Sequence, residues 1–291
     1  MKLLPKISVV TPSYNQAQFL EEAILSVIDQ NYPNLEYIII DGGSTDGSVD
    51  IVRKYEKKLA YWVSEPDRGQ SHALNKGIAH ATGDILFWLN ADDVCLPGAF
   101  STVIKAFNRK TMPRIVVGYA YIIDDQGKKC GEFKSKFTSW EDYATRKNMI
   151  RQISTFFDRK LFDELGGLDE SLNWPMDTDL LLRFTRVYEP LVIDEYLAAY
   201  RVHKTAKSIS KSLSSYQQAD RVYLRHLEGT DLENMYRRRS AEIWVGLALK
   251  PDINLTDRFF CLQNAWSMKP SAFFSFTNWF RALRYLCKLY V

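Results

Sequence analysis

The chain has 291 residues, 46% of them hydrophobic and 25% charged, which is globular composition with room for one large core or a main domain and an appendage. A formal net charge of +3 gives no global electrostatic pull toward nucleic acid, and no such partner is expected. Four cysteines, Cys95, Cys130, Cys261 and Cys287, stand far apart without a C-x-x-C pair, which excludes the common zinc sites and any disulfide framework and points to a reducing compartment.

The apolar run before Pro5 and Lys6 is too short for a signal peptide, and no uncharged apolar stretch reaches the roughly 18 residues that span a bilayer. A cytoplasmic protein that at most touches a membrane is therefore expected.

In chain order, residues 7–11 read as a short β-branched strand and 12–16 as a loop. Phe19, Leu20, Ala23, Ile24, Val27 and Ile28 then recur at helical spacing. Asn31-Tyr-Pro-Asn34 is turn chemistry, and 35–40 is a nearly continuous apolar run, the mark of a strand buried on both faces. A Gly-rich loop, 41–47, leads to a helix over 49–57. A strand over 61–64, a helix marked by Ala73, Leu74, Gly77 and Ile78, and a strand over 84–89 follow, and Pro97 opens a fourth helix. Such alternation predicts a parallel sheet with helices on both faces, with ligands at the carboxyl ends of its strands. Beyond residue 110 the pattern changes. It predicts a hairpin over 115–133, a strand at 154–157, a helix over 177–188, a last strand at 191–201 and mainly helices after 208, with any boundary near 205.

Four strand-end loops carry chemistry; in the third, Arg68 can contact a diphosphate or a base, or it is a surface arginine. Thr11-Pro-Ser-Tyr-Asn15 lacks the G-x-G-x-x-G of a dinucleotide fold, and the chain has no G-x-x-x-x-G-K-[ST], so a nicotinamide dehydrogenase or P-loop phosphotransferase is disfavoured. The loop offers an aromatic ring and small polar groups that can hold a base, or it is simply a Pro-containing turn. Asp41, uncovered by Gly42 and Gly43, can accept a hydrogen bond from a base N–H, or the segment is a capped turn in which Ser44 or Asp46 starts the next helix. Asn90-Ala-Asp-Asp93 sets two adjacent carboxylates at the end of an apolar strand, which calls for a counter-charge such as Mg²⁺ or Mn²⁺ unless the pair caps the following helix.

Five motifs in register over about 90 residues, Ser8-Val-Val-Thr-Pro-Ser-Tyr-Asn15, Ile39-Ile-Asp-Gly-Gly-Ser-Thr-Asp-Gly47, Glu65-Pro-Asp-Arg-Gly69, Ala73-Leu-Asn-Lys-Gly77 and Leu89-Asn-Ala-Asp-Asp93, resemble the nucleotide-sugar half of family-two glycosyltransferases. The resemblance implies an α/β GT-A fold: a mainly parallel nucleotide-binding sheet flanked by helices, with a helical C-terminal extension. It divides the chain into a domain over 1–205, with 1–110 the nucleotide-sugar half and 111–205 the acceptor half, and a helical region over 206–291. It assigns Thr11, Pro12, Tyr14, Asn15, Asp41, Arg68, Asn75, Asn90, Ala91 and Asp92 to the nucleotide sugar, a UDP-sugar first among donors.

The family's D-x-D motif binds a divalent metal on the donor diphosphate. Here its first position is Asn90 and its last is Asp92, the expected ligand, with Asp93 beside it. A thinner likeness continues through Gly166-Gly-Leu-Asp-Glu170 and Trp174-Pro-Met-Asp-Thr-Asp-Leu-Leu-Leu-Arg183 to His203. It implies that Asp177 is the base for an acceptor hydroxyl, the alternative being a helix N-cap. It also implies that His203 completes the metal site, the alternative being a solvent-facing loop histidine. His72, His80 and His226 lie on predicted helices and read as surface residues. The implied activity is inverting transfer to a glycan or glycolipid acceptor, with a sugar nucleotidyltransferase and a non-catalytic carbohydrate-binding protein as the rivals. Near the C-terminus, Arg281, Arg284 and Lys288 share one helical face opposite Trp279, Leu283, Leu286 and Tyr290, so 271–291 reads either as a peripheral membrane helix or as a packing helix.

Overall fold

The structure, a computed structural model, describes residues 4–109, 111–172, 174–206, 213–250 and 253–270. The basic amphipathic segment 271–291 lies outside the described residues. The chain divides into two compact units, Met1–Trp140 with Asn148–Ser210, and Glu141–Lys147 with Lys211–Val291.

The first unit is built on the alternation that the sequence predicts: β1 (Ile7–Ser13), α1 (Ala17–Ile28), β2 (Leu35–Asp41), α2 (Ser48–Tyr55), β3 (Tyr61–Ser64), α3 (Gln70–His80) and β4 (Ile85–Trp88). β1, β2, β3 and β4 pair in parallel. A two-residue strand β5 (Val94–Cys95) and helix α4 (Ala99–Phe107) follow. Then come the hairpin β6 (Ile115–Ile123) and β7 (Lys129–Phe133), and β8 (Thr155–Asp158), α6 (Arg159–Leu165), α7 (Met176–Val187) and β9 (Leu191–Arg201). The short helix α5 (Trp140–Ala144) straddles the two units.

The sheet runs in the order β3-β2-β1-β4-β8-β6-β9-β5, with β7 attached to β6. The chain leaves β1 toward β2 and β3 and returns on the other side to β4. The order therefore reverses between β1 and β4, the switch point at which an open α/β sheet forms a ligand crevice. Successive residues of a strand point to opposite faces, and β1, β4 and most of β2 are buried on both because helices cover each. Val9, Tyr37, Ile39, Ile85 and Phe87 join Leu20, Ile24 and Val27 of α1 and Phe100 and Val103 of α4 in one core. Phe87 and Phe156 stack there at 4.0 Å, with Phe100 edge-on to both. On the opposite face α3 packs against β1 and β2.

That second contact leaves no room for a side chain at Gly77. A Cβ there would lie 2.4 Å from Val10 Cγ1 and 3.1 Å from Ile40 Cγ1. β8 runs antiparallel to both β4 and β6, while β6 and β9 are parallel. The strands beyond residue 110 thereby extend the sheet of the first four without a break.

In the second unit, α8 (Leu213–Leu227) and α9 (Leu232–Ala248) meet at a buried carboxylate, and α10 (Leu255–Met268) packs on α9 through Cys261 and Ala265. Asp220 accepts hydrogen bonds from Tyr236 Oη at 2.5 Å, Ser240 Oγ at 2.6 Å and Trp244 Nε1 at 2.6 Å, donors spaced four residues apart along α9. Arg146 lies 3.9 Å from Asp220 and over the rings of Tyr223 and Tyr236. Among the described residues no helix is long and apolar enough to cross a membrane.

Gly77→Ala tests the α3 contact. Alanine gains about 1 kcal/mol in helix propensity, but overpacking a well-packed core costs typically 1–3 kcal/mol. Urea unfolding is expected to show a net loss, and a more stable variant would mean that α3 moves away from the sheet freely.

Candidate active site

The loops that follow β1 and β2 are stitched to one another. Asn15, in the left-handed region at φ 51°, donates its N–H to Ser44 Oγ at 2.8 Å and accepts from Thr45 N at 2.9 Å through Oδ1. Asp46 accepts from Ala17 N at 2.9 Å, and its other oxygen accepts from Ser48 N at 3.0 Å, so one side chain ties the starts of α1 and α2 together. Asp41 is fully buried. Its carboxylate accepts from Gly43 N at 3.1 Å, Ser44 N at 2.9 Å, Ser44 Oγ at 2.6 Å and Ser64 Oγ at 2.7 Å. Tyr14 is 63% exposed. A Cβ on Gly42 would lie 3.2 Å from Tyr14 Cδ2 and 2.7 Å from Asp67 Oδ2, so the glycine lets the ring and the carboxylate close over the backbone.

Other residues assigned to the nucleotide sugar stand differently. Thr11 is buried with its hydroxyl 3.1 Å from Tyr37 Oη, so its side chain supports the loop from below. Pro12 and Ala91 are buried as well. Arg68 pairs with Glu170 at 2.7 Å, and Asn75 brackets Leu168, donating to its O and accepting from its N at 2.9 Å each. Both therefore grip the segment 168–170. The Glu170 carboxyl is held below its ordinary range by Arg68 and then Asn75. Asp67, which the sequence reading quoted within a motif but did not single out, is the acid that this geometry adds. Its Oδ1 accepts from Gly69 N at 2.7 Å.

The second cluster forms where the segment after β4 meets β9. Val94 and Cys95 pair antiparallel with Ala199 and Ala198, a register that carries Asp92 and Asp93 alongside Arg201 and His203. His203 Nε2 lies 3.0 Å from Asp92 Oδ2, and its Nδ1 lies 2.9 Å from Thr205 Oγ1. His203 is thus buried beside the acid rather than facing solvent.

Asp93 points the other way. It is buried and accepts from Arg201 N at 2.9 Å and Asn90 Nδ2 at 2.9 Å. Desolvation, then the neighbouring Asp92, push its carboxyl well above the ordinary range. This corrects the expectation that Asp93 is a metal ligand: its oxygens are engaged inside the fold. Asn90 is equally engaged, its Oδ1 accepting from Trp88 Nε1 at 2.7 Å and Gln70 Nε2 at 2.8 Å. The amide holds the loop together. Asp92 and His203 remain as the pair that can hold a cation. Among the described residues no group of three or more His, Cys, Asp and Glu is so arranged. Two protein ligands suit Mg²⁺ or Mn²⁺ that takes its other oxygens from a diphosphate.

Asp177 sits in the first turn of α7, half-buried, with Oδ1 accepting from Thr178 N at 2.7 Å. Desolvation raises its carboxyl above the ordinary carboxylate range, opposed by the Thr178 hydrogen bond and by the charge of Arg151. Asp179 faces inward and pairs with Arg183 at 3.0 Å, whose remaining donors take the carbonyls of Leu165, Gly166 and Gly167. Asp179 thus holds the segment 165–167 through Arg183. The start of α3 joins the two clusters. Gln70 reaches Asn90, and Ser71 Oγ lies 2.8 Å from Met176 Sδ, next to Asp177.

Asn90→Asp keeps the acceptor for Trp88 and Gln70 but removes the donor to Asp93 and adds a third carboxylate. A loss of about 1–3 kcal/mol, the cost of leaving a buried polar group unsatisfied, is expected in urea unfolding of metal-free protein. Unchanged stability would show that the amide does not support the loop.

The glycosyl transferase family 2 profile matches residues 8–162, more than half of the chain. An uncharacterized glycosyltransferase of Rickettsia typhi is 28% identical over 232 residues, 77% of this chain and 73% of the relative. A Campylobacter jejuni GalNAc(5)-diNAcBac-PP-undecaprenol beta-1,3-glucosyltransferase is 27% identical over 254 residues, 80% of this chain and 76% of the relative. Among solved structures, S. aureus TarS 1–349 in complex with UDP-GlcNAc superposes with a TM-score of 0.68 at 16% identity, covering 90% of this chain and 81% of that one. The mannosyltransferase PcManGT from Pyrobaculum calidifontis, in complex with GDP-Man and Mn²⁺, gives a TM-score of 0.54 at 19% identity, covering 99% and 88%. The sheet with its switch point is the GT-A fold, and the chain is a glycosyltransferase that belongs to glycosyl transferase family 2.

Proposed function

We propose that this enzyme moves a sugar from a nucleotide-diphosphate sugar, a UDP-sugar in the first instance, to an acceptor hydroxyl with inversion at the anomeric carbon, in the synthesis of a surface polysaccharide or glycolipid. The observation that carries the reading is the pairing of Asp92 with His203 at the end of the sheet, with the start of α3 reaching Asn90 through Gln70 and Met176, the neighbour of Asp177, through Ser71. The C. jejuni relative, by its name, acts on an undecaprenol-diphosphate-linked glycan, and TarS was solved with UDP-GlcNAc, both in keeping with such substrates.

Tyr14 offers its exposed ring to the base, with Asp67 as an acceptor beside it, while Asp41, engaged by Gly43, Ser44 and Ser64, holds the loop that carries them. Asp92 and His203 hold the divalent cation, which when bound supplies Lewis-acid stabilisation of the departing diphosphate. Asp177 accepts the acceptor hydroxyl's proton as that oxygen attacks the anomeric carbon and the bond to the diphosphate breaks. A carboxyl raised by burial suits that task, because a base nearer the operating pH shares the proton more evenly in the transition state. One displacement inverts the centre. A nucleotidyltransferase is disfavoured because the loop after β1 holds an aromatic ring where a Gly-rich phosphate loop would lie.

Asp177→Asn tests the chemistry, in transfer assays on a panel of nucleotide sugars with Mn²⁺ or chelator. The kcat is expected to fall roughly 10²-fold or more with donor binding retained. The wild-type rate should decline toward acid from a point above pH ~4, the ordinary carboxylate value. Equal losses of donor affinity and rate would assign Asp177 to the donor site instead.

The reading places the enzyme in the cytoplasm, peripheral on the inner face of the membrane through residues 271–291. The full chain is expected to co-sediment with anionic vesicles at low salt and a chain ending at residue 270 to stay in solution; two soluble proteins would remove the membrane claim.

A further inference from the structure

We propose that Arg201 is the positioning residue of the cation-binding loop: its buried side chain, acting through the carbonyl of Asp92 beside the bond that its main-chain N–H makes to Asp93, sets where the Asp92 carboxylate meets His203. The inference rests on the reading of Asp92 and His203 as cation ligands.

Arg201 closes β9 and is 1% exposed. A guanidinium this deep is tolerated only when its donors are met, and here they reach into three separate segments. Nε donates to Asp92 O at 2.9 Å, Nη1 to Asp124 O at 3.2 Å in the turn between β6 and β7, and Nη2 to Glu22 Oε2 at 2.6 Å on α1. The Arg201 main-chain N–H takes Asp93 Oδ1 at 2.9 Å. The guanidinium also lies over the Phe19 ring at 5.0 Å, and that ring packs 4.6 Å from the imidazole of His203.

One side chain therefore bears on both ligands, on Asp92 through its carbonyl and on His203 through Phe19. An ion pair that only stabilised the fold would be satisfied by Glu22, whose side chain is 54% exposed. Two of the three side-chain bonds go instead to loop carbonyls, one of them that of the ligand residue itself. The planar fork that meets these acceptors in three directions has no equivalent in lysine, whose donors radiate from one nitrogen.

The experiment compares wild type, Arg201→Lys and Glu22→Gln by calorimetric titration of Mn²⁺ in the presence of UDP, with GDP as the second probe. Thermal unfolding and UDP binding are measured in chelator. Removing a residue that orients a ligand from outside the coordination shell typically costs 10–100-fold in metal affinity. Arg201→Lys is expected to bind Mn²⁺ weaker by that factor, to bind UDP in chelator as wild type does, and to regain most of its transfer rate at saturating Mn²⁺. Glu22→Gln should show a smaller loss in the same direction, and it carries the test alone if Arg201→Lys does not fold. Wild-type Mn²⁺ affinity in the folded variants, with a lowered melting temperature only, overturns the proposal and leaves Arg201 a structural residue. Absence of Mn²⁺ binding by the wild type with either nucleotide overturns the cation reading itself, and this proposal with it.

Discussion

Two adjacent carboxylates at the end of a buried strand cannot both be held without donors, and this constraint organises the site. Asp93 is inside the fold, where loss of water and the charge of Asp92 act on it together. The relief comes from β9, which is distant in sequence. Its last residue gives a main-chain N–H to Asp93 and a side-chain N–H to the carbonyl of Asp92, and two residues later His203 meets the Asp92 carboxylate. The short antiparallel step of Val94 and Cys95 on Ala199 and Ala198 brings these partners into register. Without that step the acids would end a strand facing nothing.

The same economy holds on the donor side, where polar side chains fix backbone rather than wait for ligand. Asp41 takes four donors from its own loop and from the end of β3, and Asp46 ties two helices by their first residues. Preorganisation of this kind lowers the ordering that a bound nucleotide would otherwise impose on the loops. It also explains why exposed chemistry is sparse there. Tyr14 and Asp67 flank a glycine that has no room for a side chain, so their approach is set by the absence of a Cβ at Gly42.

The parallel half of the fold was legible because strands buried on both faces leave short continuous apolar runs bounded by turn residues, in alternation with helix-spaced segments. The strands 61–64 and 191–201 begin and end where the sequence places them. The fourth helix begins at Ala99 rather than at Pro97, since Gly98 takes a left-handed turn at φ 79° before it. β5 was not legible, because two residues carry no periodicity, and with it went the pairing that joins Asp92 to His203. Nor was the role of Arg201, since an arginine in a polar stretch reads as solvated until topology buries it. The burial of Thr11 and the turning of Asp93 into the core share a cause: a strand-end residue faces the crevice or the core according to the pleat, which a motif does not state.

Asn90 shows how three hydrogen-bond partners constrain a residue type. Against the family's D-x-D pattern a neutral amide looks like a weakened metal site. In place, it receives two N–H donors, from Trp88 and Gln70, on its oxygen, and it gives one N–H to Asp93. An aspartate could accept both donors but return none, and would set a third charge beside two that already share the positive charge of Arg201 with Glu22. A histidine offers at most one acceptor nitrogen. A side chain with both a carbonyl and an amide on one planar carbon meets the three partners together. The first position of the motif therefore serves the geometry of the loop, and the acid that faces the proposed cation is left to the third position, Asp92.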